Sequence, residues 1–162
     1  MEVQVLLATP FKSMITYKKA QFDEKTVARL IELSKQWVDE DSCFGMVVNT
    51  KEDLKEPCFL ALDNDVIVGY GFGHFYELEK KVTPIQAGAK CFEIDEIYVL
   101  SEYRSKGIGK ELFSLLEKEA IKEADYITLA TSNKDYQKVL KFYAEDNNMV
   151  FHSAFLTKDL KK

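Results

Sequence analysis

Residues 98–110 read YVLSEYRSKGIGK, an apolar run followed by a polar, glycine-bearing turn. Gly107 and Gly109 open a segment whose apolar residues recur at helical spacing. The first N–H groups of a helix have no partner inside it and lie at the positive end of the aligned peptide dipoles. Glycine lets the backbone approach a bulky ligand and adopt dihedral angles that a Cβ would forbid. A strand, a glycine-bearing turn and a helix start therefore predict a site for an anion.

The segments next to this turn extend the same pattern. Upstream, the apolar run 91–100 predicts a central strand. Downstream, the apolar residues of 108–120 share one helix face and the charged residues lie on the other. The largely apolar run 125–131 predicts another central strand. A helix is predicted at 136–144 and a last strand at 149–157.

The chain before the turn supplies the remaining elements. Asp23 is a good N-cap for the helical pattern that follows it. Asp63-Asn64-Asp65 has the composition of a hairpin turn, so strands are predicted on either side of it, at 58–62 and 66–76. Residues 3–8 predict a first strand. Three segments show no clear strand or long helix and include the predicted loops: 11–21, 42–57 and 77–90.

Glycines 69, 71 and 73 alternate inside the predicted strand 66–76. No helix start follows them, so a dinucleotide site is disfavoured and close backbone packing or a β-bulge is predicted. The element order is then β, α, a β hairpin, β, α, β, α, β, which predicts one mixed α/β domain over residues 1–162.

Composition narrows the class of protein. Lys and Arg number 22 against 27 Asp and Glu, so the formal charge of −5 argues against nucleic acid or an anionic membrane as the main partner. The three cysteines have no metal-site spacing, and Cys58 and Cys91 are predicted to be buried thiols. No signal peptide and no apolar run of about 20 residues is present, so a cytoplasmic location is expected.

The motif Arg104-x-x-Gly107-x-Gly109 after Ile97-Tyr98-Val99 resembles the acyl-CoA-binding motif of the GNAT superfamily of N-acetyltransferases, in particular its small bacterial-type members. Phe142-Tyr143 and an intervening strand stand where relatives have them, and the likeness covers about 3–157. Leu112 occupies the place of the third glycine of a Rossmann motif, and no P-loop lysine follows. The resemblance implies a mixed, mostly antiparallel central sheet flanked by helices, with acetyl-CoA as cosubstrate and no metal.

The resemblance also implies which residues bind acetyl-CoA. The exposed backbone of residues 97–99 would pair with the pantetheine arm, and a main-chain N–H near Val99 would polarise the acetyl carbonyl. Arg104 and Lys106 would add positive charge near the pyrophosphate, although Arg104 could instead form a surface salt bridge with Glu102. Relatives often place a pantetheine-contacting asparagine at the position of Tyr136. Here either the connection is three residues longer and Asn133 makes that contact, or the contact is lost. The implied set is Ile97, Tyr98, Val99, Arg104, Ser105, Lys106, Gly107, Ile108, Gly109, Lys110 and Asn133.

Catalysis requires a group that accepts a proton from the amine, often a carboxylate acting through water. Asp95-Glu96 resembles the acidic pair of polyamine acetyltransferases, whereas Glu93 matches the base of histone-acetylating members and is held in reserve. Strand alternation places Glu93 and Asp95 on one face and Glu96 on the other, unless a bulge intervenes. Any one of these carboxylates could instead bind the substrate's cation or simply be a solvated group at the edge of the strand. Tyr143 matches the tyrosine that protonates the departing thiolate, with an ordinary core tyrosine as the alternative.

The function implied is direct transfer of an acetyl group from acetyl-CoA to a primary amine of a small cationic molecule, such as a polyamine or an aminoglycoside-like compound. Two alternatives stay open: acetylation of a protein or peptide amine, and a non-catalytic sensor of acyl-CoA. Relatives are often dimers, so a homodimer is also open.

Overall fold

The structure is a computed structural model, and it describes residues 14–161. The described strands form one five-stranded sheet in the order β1-β2-β3-β4-β5. Neighbouring strands are antiparallel except for β4 and β5, which are parallel. The strands are β1 (Ile15–Lys19), β2 (Cys58–Asp63), β3 (Val66–Glu77), β4 (Lys90–Val99) and β5 (Tyr126–Thr128).

Within the described residues, three α-helices flank the sheet: α1 (Glu24–Asp39), α2 (Ile108–Ala120) and α3 (Tyr136–Leu140), which continues as a π-helical segment, Lys141–Asp146. The predicted N-cap is confirmed, because Asp23 Oδ1 accepts a hydrogen bond from Thr26 N–H at 2.8 Å. Trp37 of α1 stacks on Tyr98, whereas α2 packs against the face that carries Ile97. Since adjacent side chains of a strand point to opposite faces, α1 and α2 cover opposite faces of β4. The predicted mixed α/β, mostly antiparallel fold is confirmed.

The hairpin predicted from residues 58–76 is present, and so is close backbone packing, one of the two alternatives predicted from its glycines. Asn64 and Asp65 form a two-residue turn with positive φ angles of 46° and 66°, between the paired residues Asp63 and Val66. The register between β3 and β4 shifts between Phe72 and Gly73. A Cβ at Gly73 would lie 2.7 Å from Cζ of Phe92, so only glycine allows the two strands to approach this closely.

Other strand predictions are wrong or lie outside the described residues. Residues 149–157 form no strand and are mostly exposed. β5 is shorter than predicted, and it is an edge strand of the described sheet rather than a central one. The run at 125–131 is apolar because Ile127 and Leu129 pack against the core, and not because β5 has a neighbouring strand on each side. β1 lies in 11–21, which carries no clear pattern, and the strand predicted at 3–8 falls outside the described residues.

None of the helices within residues 14–161 is long and apolar enough to cross a membrane. In the same part of the chain, no group of three or more His, Cys, Asp and Glu side chains is arranged to hold a metal ion. Cys58 and Cys91 are buried free thiols, as predicted.

Candidate active site

The turn before α2 presents a row of unpaired backbone N–H groups. Ser105 and Gly107 adopt left-handed conformations, with φ angles of 60° and 82°. The first helical hydrogen bond runs from Glu111 N–H to Gly107 O, at 3.0 Å. Within the described part of the chain, the N–H groups of 105–110 donate to no protein acceptor. Alternating left-handed residues at a helix start form a concave cluster of N–H groups, which suits an anion.

A second set of free backbone groups lies along β4. β4 and β5 pair only at residues 91–93 of β4, so the strands separate beyond Glu93. Leu100 N–H donates to Val68 O on the β3 side, at 2.9 Å. Backbone N–H groups alternate along a strand, so those of Ile97 and Val99 point away from β3 and into the opening. An extended ligand could pair there as a further strand would.

The basic side chains of the turn contact protein groups. Arg104 Nε donates to Val99 O at 2.8 Å, and its Nη2 donates to both carboxylate oxygens of Glu40, at 2.7 and 2.8 Å. Lys106 Nζ donates to the backbone O of Glu102, at 2.8 Å. The ion pair of Arg104 thus joins α1 to the turn, and its partner is Glu40 rather than the Glu102 carboxylate considered from the sequence.

A β-bulge brings the three candidate carboxylates to one face. Phe72 pairs with Glu96 and Gly73 pairs with Ile94, so Asp95 is the extra residue of β4. The bulge resets the alternation, and Glu93, Asp95 and Glu96 all lie on the face covered by α1. The stated exception to strand alternation, an intervening bulge, is therefore present, and it puts Glu96 on the same face as Glu93 and Asp95.

Glu96 is enclosed by hydrogen-bond donors. Its carboxylate accepts from Tyr70 Oη at 2.7 Å and from Asn49 Nδ2 at 2.9 and 3.1 Å. Asn49 N–H in turn donates to Ser34 Oγ of α1, at 3.0 Å. Burial raises the pKa of Glu96, and the two donors partly offset that shift. Glu96 therefore connects the 42–57 loop to the sheet.

Asp95 and Glu93 flank a histidine that sequence reasoning did not single out for catalysis. His74 Nδ1 lies 2.7 Å from Asp95 Oδ2, and its Nε2 lies 3.9 Å from Glu93 Oε2. The period-two run of β3 places His74 on the same face as Tyr70. Alternation alone could have revealed that shared face, but the neighbours on β4 depend on a register shifted by the bulge.

Tyr143 lies beside the start of α2. Its ring packs against Phe113 and Phe142, with centroids at 6.1 and 4.9 Å. A Cβ added at Gly109 would be 3.7 Å from the Phe142 ring, so this helical segment packs against the turn. Burial, with a smaller contribution from Cys43, raises the pKa of Tyr143 to about 12. The phenol is therefore protonated at neutral pH, as a proton donor must be.

The side chain of Asn133 is already engaged by protein groups. Its Oδ1 accepts from Asp135 N–H at 2.8 Å, and its Nδ2 donates to Cys43 Sγ at 3.6 Å. Segments 42–44 and 132–134 are paired there, with Lys134 N–H donating to Ser42 O at 2.9 Å. A pantetheine contact from the Asn133 side chain would require one of these bonds to be exchanged.

Residues 20–148 match the family described as the acetyltransferase (GNAT) family. The chain belongs to that family. The GNAT assignment made from the motif at 104–109 is thereby confirmed, and the chain is an N-acetyltransferase. No curated protein sequence matches the chain at a significant level.

Solved structures of other GNAT proteins share its fold. An aminoglycoside N-acetyltransferase in complex with CoA has a TM-score of 0.65 and 15% identity, covering 96% of this chain and 100% of that one. A predicted acetyltransferase from Clostridium acetobutylicum with acetyl-CoA has a TM-score of 0.62 and 20% identity, covering 91% and 97%. The glucosamine-6-phosphate N-acetyltransferase from Arabidopsis thaliana has a TM-score of 0.60 and 16% identity, covering 91% and 99%. At these identities the likeness shows the fold alone.

Proposed function

We propose that this GNAT enzyme transfers an acetyl group from acetyl-CoA directly to a primary amine of a small cationic molecule. The observation that carries the proposal is a juxtaposition on β4. Free N–H groups line its open edge, and three carboxylates lie on its adjoining face. The first set suits a thioester donor, and the second suits a protonated amine.

The proposed donor site is built from backbone groups. The N–H groups of 105–110 would bind the pyrophosphate, and those of Ile97 and Val99 would pair with the pantetheine arm and the acetyl carbonyl. The space above Gly107 is open, because a Cβ there would meet no atom within 4 Å. Two solved structures with the same fold were determined with CoA or acetyl-CoA, which supports this choice of donor.

The proposed acceptor site is built from side chains. Three carboxylates in succession along one face favour a cationic substrate, since each lowers the free energy of a nearby positive charge. Glu96 is occupied by two donors, so we assign it to holding the site and assign Asp95 and Glu93 to attracting the ammonium group and assisting its proton transfer. Tyr143 would protonate the leaving thiolate. The fold is shared with two aminoglycoside acetyltransferases, which supports a small cationic acceptor.

The test is an acetyl-transfer screen that measures free thiol release with kanamycin, spermidine and a lysine-containing peptide as acceptors. We expect kanamycin or spermidine to release thiol faster than the peptide. Faster release with the peptide would favour a protein or peptide amine. No release from any amine, together with a rise in melting temperature on adding acetyl-CoA, would favour the sensor alternative.

Three further expectations accompany the proposal. We expect a single domain over 1–162. We also expect a cytoplasmic enzyme with neither a membrane nor nucleic acid as partner, because its net charge of −5 disfavours both. A homodimer is the alternative to a monomer, and sedimentation measurements would decide between them.

A further inference from the structure

We infer that His74 is the group that accepts the proton of the substrate amine, and that Asp95 is the residue that positions it. This inference rests on the proposed function and replaces a lone carboxylate with a histidine–aspartate pair. It assigns a catalytic residue on β3, outside the motif-bearing strand.

The geometry of the imidazole leaves one nitrogen available. Nδ1 lies 2.7 Å from Asp95 Oδ2, which is the distance of a strong charge-assisted hydrogen bond. In a neutral imidazole that donates this bond to an ionised carboxylate, the proton is on Nδ1 and the lone pair is on Nε2. Within residues 14–161, Nε2 makes no hydrogen bond, and its distance of 3.9 Å to Glu93 is too long for one. The side chain of His74 is 37% exposed, so a substrate can reach it.

The register places this nitrogen one strand away from the opening between β4 and β5, on the far side of Glu93. His74 pairs with Glu93 across β3 and β4, and Glu93 pairs with Thr128 at the last position before the two strands separate. The Glu93 carboxylate therefore lies between Nε2 and the opening. An ammonium group attracted to Glu93 would arrive next to the nitrogen that can remove its proton.

The other candidates are less suited to that role. Glu96 accepts hydrogen bonds from Tyr70 and Asn49, and Asp95 is committed to His74. Imidazole is a stronger base than a carboxylate and is the commonest general base in enzymes. The titratable groups that face the imidazole are Asp95 and Glu93 on β4 and Tyr76 on its own strand.

The proton and electron balance is complete without another reactant. Nε2 of His74 removes one proton from the ammonium, and the neutral amine nitrogen attacks the acetyl carbonyl carbon. The new N–C bond forms, the C–S bond breaks, and its electron pair leaves on sulfur. A proton from Tyr143 converts that sulfur to the thiol, and the second proton of the amine restores Tyr143 through solvent. The imidazolium returns its proton to water.

The test compares His74→Asn, Asp95→Asn and the wild-type enzyme, with kanamycin and spermidine as acceptors. Asparagine at 74 can keep a donor near the position of Nδ1, facing Asp95, but it has no basic nitrogen. We expect His74→Asn to lower kcat/KM at neutral pH about 10²–10⁴-fold, the usual contribution of general base catalysis. The deficit should shrink at high pH, where the free amine no longer requires a base. Asp95→Asn should show a smaller deficit with the same pH trend.

The control is His152→Asn, which changes the other of the two histidines in a segment far along the chain and should leave the rates unchanged. Equal rates and pH profiles for His74→Asn and wild type would overturn the inference while leaving the proposed function intact. A deficit that is the same at every pH would also overturn it, since a merely structural role predicts that result. An inactive wild-type enzyme would instead contradict the proposed function itself, and the inference with it.

Discussion

The two sides of β4 present different chemical groups, backbone N–H groups on one and side chains on the other. On one side, which we call the donor side, backbone N–H groups of Ile97, Val99 and 105–110 are free to bind a ligand. On the other, which we call the acceptor side, the groups that we propose to serve the amine are the side chains of His74, Glu93, Asp95 and Glu96. A backbone site depends on turn geometry and can be kept while most side chains change. A side-chain site depends on each residue, so we propose that the acceptor side sets which amine is used.

The change with the largest expected effect removes the donor side and leaves the acceptor side unaltered. Gly107→Glu places a carboxylate among the N–H groups at a position whose φ of +82° already disfavours any side chain. Acetyl-CoA at 100 times its Kd should stabilise the wild type by about 2.7 kcal/mol. In the variant we expect no stabilisation and no measurable transfer, as measured by thermal unfolding and thiol release.

Gly88→Glu is the matched control for that change. Gly88 has a φ of +84°, so the backbone strain and the added charge are nearly the same, but it lies in the loop between β3 and β4. We expect this variant to keep the full stabilisation by acetyl-CoA. Equal loss of stabilisation in both variants would mean that strain, and not the anion site, explains the effect.

A smaller loss of activity is expected from changing Tyr143, the residue that we propose protonates the leaving thiolate. Tyr143→Phe retains the packing against Phe113 and Phe142 but removes the proton donor. We expect kcat to fall about 10²-fold, the lower end of general acid catalysis, with unchanged stabilisation by acetyl-CoA. Tyr136→Phe, in the exposed first turn of α3, is the control and should retain full activity. A Tyr143→Phe enzyme with normal kcat would make Tyr143 a packing residue only.

The smallest effect is expected from the residue that we assign to holding the acceptor side. Glu96→Leu would leave the Tyr70 hydroxyl and the Asn49 amide without their acceptor, at a cost of about 1–3 kcal/mol in the free energy of unfolding for each group left buried. Glu96→Gln keeps an acceptor and should cost much less. Urea unfolding of both variants measures this difference, and equal losses would contradict the assignment.

The pH dependence of the same comparison has a defined sign. Burial raises the pKa of Glu96, so the folded state holds this proton to a higher pH than the unfolded state does. The contribution of Glu96 to stability is therefore fully present below its unfolded pKa and is lost as the pH rises through the raised value. The free energy of unfolding of Glu96→Gln minus that of wild type should therefore be more positive at pH 8 than at pH 4. A constant difference between the two would contradict the raised pKa.

The donor side could be predicted from the sequence because its signals are local. The glycines at 107 and 109 act on the backbone within a few residues. The N-cap at Asp23 and the hairpin turn at 63–65, elsewhere in the chain, could be predicted for the same reason. The acceptor side required long-range register. His74 meets Asp95 only because the bulge at Asp95 shifts the pairing of β3 and β4, and no local pattern states where a bulge falls.

The wrong strand predictions have the same origin. The runs at 125–131 and 149–157 are apolar enough for strands, but a strand also needs a neighbour to pair with. β4 accepts only three residues of β5 before the two separate, and residues 149–157 find no strand partner in the described part of the chain. An apolar run predicts that a segment is buried or extended, but whether it pairs as a strand depends on the other strands of the sheet.

Amide hydrogen exchange with and without acetyl-CoA would detect a donor site on β4 residue by residue. We expect new protection at Ile97, at Val99 and across 105–110, because within residues 14–161 these N–H groups have no protein acceptor and would gain one. Tyr98 is the internal control, since its N–H already faces β3 and should change little. Protection confined to other residues, or equal at 97, 98 and 99, would contradict a donor site built on the open edge of β4.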